Sequence, residues 1–358
     1  MGIAKSKKVL VALSGGVDSA VACATLKEQG YDVAGVFMRL LPADEPSSDN
    51  LKGNLSDVQK VADRLGVRLH IVDYSWEIQQ VIDYFTYEYS VGRTPNPCAR
   101  CNAVLKFGRL LAFARQLGAE FLATGHYARM VDHGGRRRLG RAVAREKDQS
   151  YVLFGIERRD LPSLLFPNGE VARKDVIRCK ARELALPVHD KEDSQEICFV
   201  PDDDYVAFLT RRHADLVRPG PIVDLAGKKI GEHQGVFQYT VGQRRGLRIA
   251  AGKPLYVIRI DPLTNTVVVG PREALARKEF VATQVNWHVD LPTEPLRVDA
   301  QIRYGHRSAP CRIETLTPGR IKVTFDKPQF AVTPGQAVVF YENDLVVGGG
   351  WIASDELS

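Results

Sequence analysis

Apolar and polar positions follow two regimes along the 358 residues, and the change falls near residue 200. In the first part, continuous apolar runs alternate with segments of helical spacing. Lys7 to Leu13 is an apolar run that ends in a Gly-rich turn, and Ala20 to Gln29 keeps the helical period up to Gly30, which together predict one strand–helix unit. Tyr31 to Met38 and Val67 to Asp73 read as the next strands. Between them Asp57 to Leu65 reads as a helix capped by Ser56 and stopped by Gly66. Phe107 to Leu117 is helical up to Gly118, and Phe121 to Gly125 is a strand. Such alternation predicts a mostly parallel sheet covered by helices, with ligands at the carboxyl ends of the strands.

One more helix is predicted after Asp202-Asp203-Asp204, running to about Arg212. From Gly220 onward the pattern shortens to β-branched runs between Gly, Pro and Asn: Tyr256 to Ile260, Thr266 to Val269, Arg312 to Leu316 and Ile321 to Phe325. Pro271 and the polar stretch Arg272 to Lys278 make a seam. The expected organisation is a Rossmann-like α/β catalytic domain over residues 1–200, a small β-rich central domain over 201–275 and a C-terminal β-barrel over 276–358.

Composition narrows the class. Hydrophobic residues at 44% and charged residues at 26% suit a chain that buries a core and exclude wholesale disorder. No apolar run reaches the ~18 residues that span a bilayer, and Ser14, Gly15 and Gly16 interrupt the first run before it can act as a signal peptide. A cytoplasmic enzyme with no membrane segment is expected. The net charge of +6 permits a polyanionic partner, with basic groups clustered at Arg136-Arg137-Arg138, Arg211-Arg212, Lys228-Lys229 and Arg244-Arg245. Solvated surface is the plainer reading of each cluster. The six cysteines do not fit a secreted disulfide scaffold in a chain of this length.

The first chemical signal is Ser14-Gly15-Gly16-Val17-Asp18-Ser19, between the first strand and the first helix. Two glycines allow close backbone approach to an oxyanion, and the following N–H groups open a helix whose N-terminus favours negative charge. No Gly-Lys-Ser/Thr closes it as a Walker A loop, and the G-x-G-x-x-G spacing is absent. An ordinary capped turn is the alternative. The string resembles the PP-loop of the ATP pyrophosphatases. That resemblance implies that Ser14, Gly15, Gly16, Asp18 and Ser19 hold pyrophosphate, within an ATP-binding set running from Leu13 through Val17 to Ser19. It also implies Mg²⁺ near Asp18, and Met38 and Gly125 bracketing adenosine, although Met38 alone reads as core.

Two strings carry cysteines. Gly92-Arg93-Thr94-Pro95-Asn96-Pro97-Cys98-Ala99-Arg100-Cys101-Asn102 is a proline-stiffened loop leading to a helix start, where the helix terminus and arginines favour thiolate. Asp193-Ser194-Gln195-Glu196-Ile197-Cys198-Phe199-Val200 reads as a short strand. Cys98 and Cys101 form a C-x-x-C, but a zinc site needs two more ligands and no second pair supplies them. An iron–sulfur cluster on Cys98, Cys101 and Cys198, or a pair of inert thiols, stays open. Cys23, Cys179 and Cys311 read as core.

With Gly125-His126-Tyr127, Lys147-Asp148-Gln149-Ser150 and the terminal Gly348-Gly349-Gly350-Trp351-Ile352, these strings resemble the tRNA-specific 2-thiouridylase family of PP-loop enzymes, from the first strand to the C-terminus. The resemblance implies ATP-dependent 2-thiolation of the wobble uridine, position 34, in the lysine, glutamate and glutamine tRNAs. In that scheme the uridine 2-oxygen is adenylated and Cys198 carries a persulfide from a sulfur-donor protein, a cysteine desulfurase or a relay protein. Cys101 is the second catalytic thiol, releasing sulfide or closing a Cys101–Cys198 disulfide. By the same resemblance Asn96, Pro97 and Cys98 meet the target base; His126, Lys147, Asp148 and Gln149 line the RNA path; and Arg303, Tyr304 and Gln336 touch RNA from the barrel. In the family the position of Cys98 is often aspartate. The segment Leu40 to Asn54, rich in Pro, Ser and Asp, lacks the longer insertion of some members and reads as a mobile loop. Two other readings compete: a different PP-loop enzyme, such as an amidotransferase-type synthetase without a persulfide, and an RNA-binding protein with a degenerate ATP fold.

Overall fold

The computed structural model describes residues 6–41, 48–192, 197–249 and 252–354. The chain divides into two compact units, one formed by Met1–Gln80, Cys98–Phe199 and Asn343–Val346, the other by Val81–Pro97, Val200–Glu342 and Val347–Ser358.

The first unit holds strands β1 (Lys8–Ala12), β2 (Asp32–Arg39), β3 (Arg68–Asp73), β4 (Phe121–Ala123), β5 (Ala128–His133), β6 (Arg136–Arg141) and β7 (Leu164–Leu165). Its sheet runs in the order β3-β2-β1-β4-β7, and all four pairings are parallel. The helices are α1 (Val17–Glu28), α2 (Ser48–Leu65), α3 (Glu77–Ser90), which continues into the second unit, α4 (Pro97–Cys101), α5 (Leu111–Gln116) and α6 (Lys174–Glu183). Strand β1 is central because both of its faces are apolar. Val9 and Val11 pack with Cys23 and Leu26 of α1, Phe37 of β2 and Val58 of α2 in one buried cluster, as expected of a strand covered on both sides.

Helix α2 begins at Ser48, so Ser56 lies inside it and is not its cap. The stretch read as a loop from Leu40 to Asn54 is therefore helical in its second half; its residues 42–47 lie outside the described residues. The helix predicted to start at Phe107 instead follows α4 without a break, through a π-helical stretch, Asn102–Leu110, into α5. Cys198 sits in a turn and not on a strand, and residues 193–196 of its string lie outside the described residues. Cys23 and Cys311 are buried as expected, whereas Cys179 on α6 is exposed.

The second unit contains α7 (Tyr205–Arg212), whose N-cap Asp204 accepts a hydrogen bond from the N–H of Ala207 at 2.8 Å. A four-stranded sheet follows, from β8 (Gly220–Val223), β9 (Lys229–His233), β10 (Tyr256–Asp261) and β11 (Thr266–Gly270), ordered β10-β11-β8-β9. Strands β12 (Ala276–Trp287), β13 (Leu296–Gln301), β14 (Ala309–Thr317), β15 (Arg320–Phe330), β16 (Ala337–Glu342) and β17 (Leu345–Ile352) then run β12-β15-β14-β13-β16-β17. Pairing of β12 with β17, Ala282 opposite Ile352 and Trp287 opposite Gly348, closes them into a six-stranded barrel. Inward residues of alternating register, among them Phe280, Val298, Val323, Phe325 and Phe340, fill it. Closure pairs the first and last strands of this run with each other. Phe85 and Tyr89 from the end of α3 pack on Phe208 and Tyr205 of α7, the two tyrosine rings stacked at 4.8 Å. None of the described helices is long and apolar enough to cross a membrane.

Candidate active site

The loop Ser14–Ser19 closes on itself. The Ser14 N–H donates to Ser19 Oγ at 3.1 Å, and Ser19 Oγ donates to the Gly16 carbonyl at 3.0 Å. Gly15 takes φ +81°, and a Cβ there would lie 2.9 Å from the Asn54 carbonyl oxygen, so no other residue fits without strain. The first N–H groups of α1 lack intrahelical partners by geometry and supply an anion-binding terminus. Gly125, just past β4, packs directly on this turn: a Cβ would come within 2.7 Å of the Ser19 backbone nitrogen and 2.8 Å of the Asp18 carbonyl carbon. Its hydrogen side chain sets the distance between strand end and helix start. Leu13 is buried in the core, and Met38, paired in register with Val72 on β3, is half-buried at the end of β2.

Three further residues engage the loop. Asp18 receives the Tyr127 hydroxyl at 2.7 Å and the Lys174 ammonium through both carboxylate oxygens, at 2.5 and 2.6 Å. The Asn168 amide donates to the carbonyl oxygens of Asp18 and Gly125, each at 3.0 Å. Sequence reasoning missed all three roles. Nothing in Gly125-His126-Tyr127 gives Tyr127 a role by itself, and Lys174 lies 156 residues from its partner, beyond any local signal.

Cys98, Cys101 and Cys198 lie near enough to influence one another's charge, and their electrostatics reverse one expectation. Cys101 is buried within α4, Cys98 and Cys198 have exposed side chains, and all six cysteines are free thiols. The thiols of Cys98 and Cys101 are pushed up by desolvation, against the weaker pull of the Lys106 ammonium. Thiolate was expected from the helix terminus and nearby arginines; desolvation outweighs both, and the cation that acts is Lys106. The Cys198 thiol is pushed up to about 12, first by desolvation and then by Cys101 and Cys98, with Lys106 opposing. Its exposure and its desolvation are different quantities: one side is open to water while protein surrounds the rest. The π-helical stretch bears on Lys106. In an α-helix the residue five places after Cys101 faces the other side; wider i to i+5 turns bring Lys106 round toward the thiols. Among the described residues, no group of three His, Cys, Asp or Glu side chains is placed to hold a metal ion.

The residues expected along the RNA path divide. Asp148 is spent on its own loop, accepting from Ala142 N–H at 2.8 Å, Ser150 Oγ at 2.8 Å and Arg141 at 3.2 Å. Gln149 accepts the Tyr127 N–H at 3.0 Å, and Lys147 is half-buried. His126 contacts Thr124 Oγ1 at 2.7 Å beside Phe107 and Phe166; desolvation, then Lys106, holds its pKa well below the usual imidazole value, so it is neutral. Gln336 donates to the carbonyls of Thr94 and Pro95 at 3.0 and 3.1 Å, anchoring the loop before Asn96 and Pro97. Arg303 and Tyr304 are exposed. Of the basic clusters, Arg137 and Arg138 turn onto the carbonyls of Pro162 and Val346, whereas Arg244 and Arg245 are exposed.

A parallel sheet whose first strand ends in this loop defines an ATP-utilising protein of the PP-loop, or HUP-domain, class. Residues 7–202 match the family described as tRNA methyl transferase HUP domain, residues 207–271 the tRNA methyl transferase PRC-barrel domain, and residues 277–352 the aminomethyltransferase beta-barrel domain. The chain is 49% identical over 350 residues to the tRNA-specific 2-thiouridylase MnmA of Syntrophotalea carbinolica, covering 98% of this chain and 99% of that one. It is 46% identical over 358 residues to the protein of that name from Geotalea uraniireducens, covering 97% and 95%. For Clostridium acetobutylicum the identity is 45% over 354 residues, covering 97% and 99%. The chain belongs to the tRNA-specific 2-thiouridylase family.

Two predictions follow from this geometry. Gly125→Ala forces a methyl group into the first turn of α1, so the variant should show a lowered melting temperature and ATP binding weakened at least tenfold by calorimetry; wild-type values for both would contradict the close approach. The raised Cys198 pKa disfavours thiolate. At neutral pH Cys198 should hold about a thousandfold less thiolate than a cysteine at its ordinary value of 9.0. Its alkylation by iodoacetamide, followed by peptide mass spectrometry, should rise about tenfold per pH unit from 7 to 10. A plateau beginning between pH 9 and 10 would show an unshifted thiol.

Proposed function

We propose that this chain is an ATP-dependent tRNA-uridine 2-sulfurtransferase that thiolates uridine 34, in tRNAs of the lysine, glutamate and glutamine type. The observation that carries the reading is the convergence of Cys101 and Cys198, distant in sequence, in the unit that also carries the PP-loop. The working domains are residues 1–200, 201–275 and 276–358. Free thiols throughout suit a reducing cytoplasm.

The uridine 2-oxygen is a poor leaving group until it attacks the α-phosphate of ATP and expels pyrophosphate. The loop N–H groups and the α1 terminus hold that anion. Mg²⁺, accompanying ATP, supplies charge neutralisation, and Asp18 is the hard oxygen ligand this loop offers it. Leu13 to Ser19, Met38 and Gly125 form the ATP site. A donor protein loads sulfane sulfur on Cys198 as a persulfide, a more acidic group than the thiol beneath it. Either the terminal sulfur attacks C2, AMP departs and Cys101 then attacks Cys198 to free the thiouridine, or Cys101 attacks first and releases sulfide as the nucleophile. Both routes end in 2-thiouridine, AMP and a Cys101–Cys198 disulfide, which an external thiol reduces. High pKa values keep the resting thiols protonated until the donor arrives, and Lys106 stabilises the anion when it forms. Asn96, Pro97 and Cys98 meet the base, and His126, Lys147, Arg303 and Tyr304 complete the RNA-facing set; Asp148, Gln149 and Gln336, whose side chains are engaged within the protein, shape the loops that carry it.

With ATP, Mg²⁺, a persulfide donor and tRNA, nucleoside mass spectrometry should detect 2-thiouridine. Cys101→Ala and Cys198→Ala should give none, Cys98→Asp should retain much of the activity, and Cys101→Ala should accumulate one added sulfur on Cys198. Anaerobically bound iron lost together with activity in Cys98→Ala would instead mark a cluster-dependent thiolase. RNA binding should lean on the exposed Arg244-Arg245 turn. Each alanine variant there should lower the log–log salt slope by about 0.7 to 0.9, and an unchanged slope would remove that turn from the interface.

A further inference from the structure

We propose that Arg272 and Arg303, both arranged on Phe330, form a clamp for backbone phosphates of the RNA substrate. The inference rests on the reading of this chain as a tRNA enzyme and adds Arg272 and Phe330, which no sequence motif marks. All three residues belong to the second unit. Phe330 is the last residue of β15, opposite Ala276 at the start of β12, and is 38% exposed. The Arg272 guanidinium lies over the Phe330 ring, 4.6 Å from its centroid. Arg303 donates from Nη1 to the Phe330 carbonyl oxygen at 3.2 Å. A guanidinium stacked on a ring keeps its edge N–H groups free, and that edge is the fork that matches a phosphate.

Charge distribution separates these two arginines from other cations of the barrel. On its wall Arg297 pairs with Asp326, Arg312 with Glu314 and Lys322 with Glu279. Among the described residues neither Arg272 nor Arg303 has a carboxylate partner, so both charges stay available. Their backbones are fixed. The Arg303 carbonyl accepts from Gln301 Nε2 and from the His306 N–H, each at 3.2 Å, and the Leu275 carbonyl, three residues after Arg272, accepts the Ala331 N–H at 3.4 Å. The turn that carries Arg244 and Arg245 reaches the same place: Gly242 takes φ +89°, and a Cβ there would lie 2.6 Å from Ala331 Cβ. Three cation-bearing segments thus converge on Phe330 and Ala331. Planar cations beside an exposed ring suit RNA, whose phosphates and bases engage both, better than an acidic protein, which engages the charges alone.

Anisotropy titration of a lysine-tRNA transcript over a range of salt concentrations tests the clamp. Arg272→Ala and Arg303→Ala should each lower the log–log salt slope by about 0.7 to 0.9, one phosphate contact apiece. Phe330→Ala removes no charge: it should leave the slope unchanged and weaken binding about two- to fivefold, the worth of the stacking that orients Arg272. Phe330→Leu, which keeps an apolar body without the π face, should behave alike and serves if the alanine variant does not fold. A wild-type slope in Arg272→Ala, or wild-type affinity in both Phe330 variants, would return Arg272 to solvated surface and overturn the proposal. Normal tRNA binding by Arg272→Ala, with slower loading of sulfur on Cys198 by a persulfide donor protein, would mark a protein-binding patch and overturn it as well. A lowered slope in Arg244→Ala with none in Arg272→Ala removes the clamp alone. If the wild-type protein does not bind tRNA, the functional reading falls together with the clamp.

Discussion

The contact between Gly125 and the first turn of α1 governs the rest of the first unit. A strand end and a helix start that meet at backbone distance leave room for one hydrogen atom. That spacing lets Asn168 bridge both backbones and brings Tyr127, two residues beyond the glycine, onto Asp18. The anion-binding turn is thus held from one side by the strand that follows it in the sheet order, with no reliance on the loop's own stiffness.

Electrostatics at the cysteines follow from the same economy of space. Burial raises all three thiols, and a single ammonium, Lys106, opposes that rise at each. A thiol of this kind stays protonated at neutral pH. The neutral state of His126 belongs to the same environment, since desolvation and the Lys106 charge act in the same direction on an imidazole.

The fold was legible where local chemistry decides it. A continuous apolar run, two glycines and a helical period locate β1, the loop and α1 to within a few residues, and β-branched runs between turn residues locate the barrel strands. Long-range geometry was not legible. Nothing near Lys174 marks it as the partner of Asp18, and no apolar pattern distinguishes a π-helical stretch from an α-helix. The apolar pattern shows only the second half of helix α2 because its first turns carry Ser, Asp, Asn and Gly, residues of low helix propensity. Asp148 and Gln149 stood in a string that suggested RNA, yet their side chains close the chain's own turns.

The interleaving of the two units constrains how the protein is made. The chain leaves the first unit after Gln80, contributes Val81–Pro97 to the second and returns at Cys98. During synthesis Phe85 and Tyr89 emerge long before Tyr205 and Phe208, the rings that cover them. Thr94 and Pro95 wait longer still, until Gln336 has been added. A nascent chain therefore holds an uncovered aromatic surface until residue 208 has been added, and a fragment cut near residue 200 would keep it permanently. Such a fragment is a substrate for chaperones and prone to aggregation. The loop that leads into α4 is anchored only once Gln336 has been added, which couples completion of that loop to synthesis of nearly the whole polypeptide.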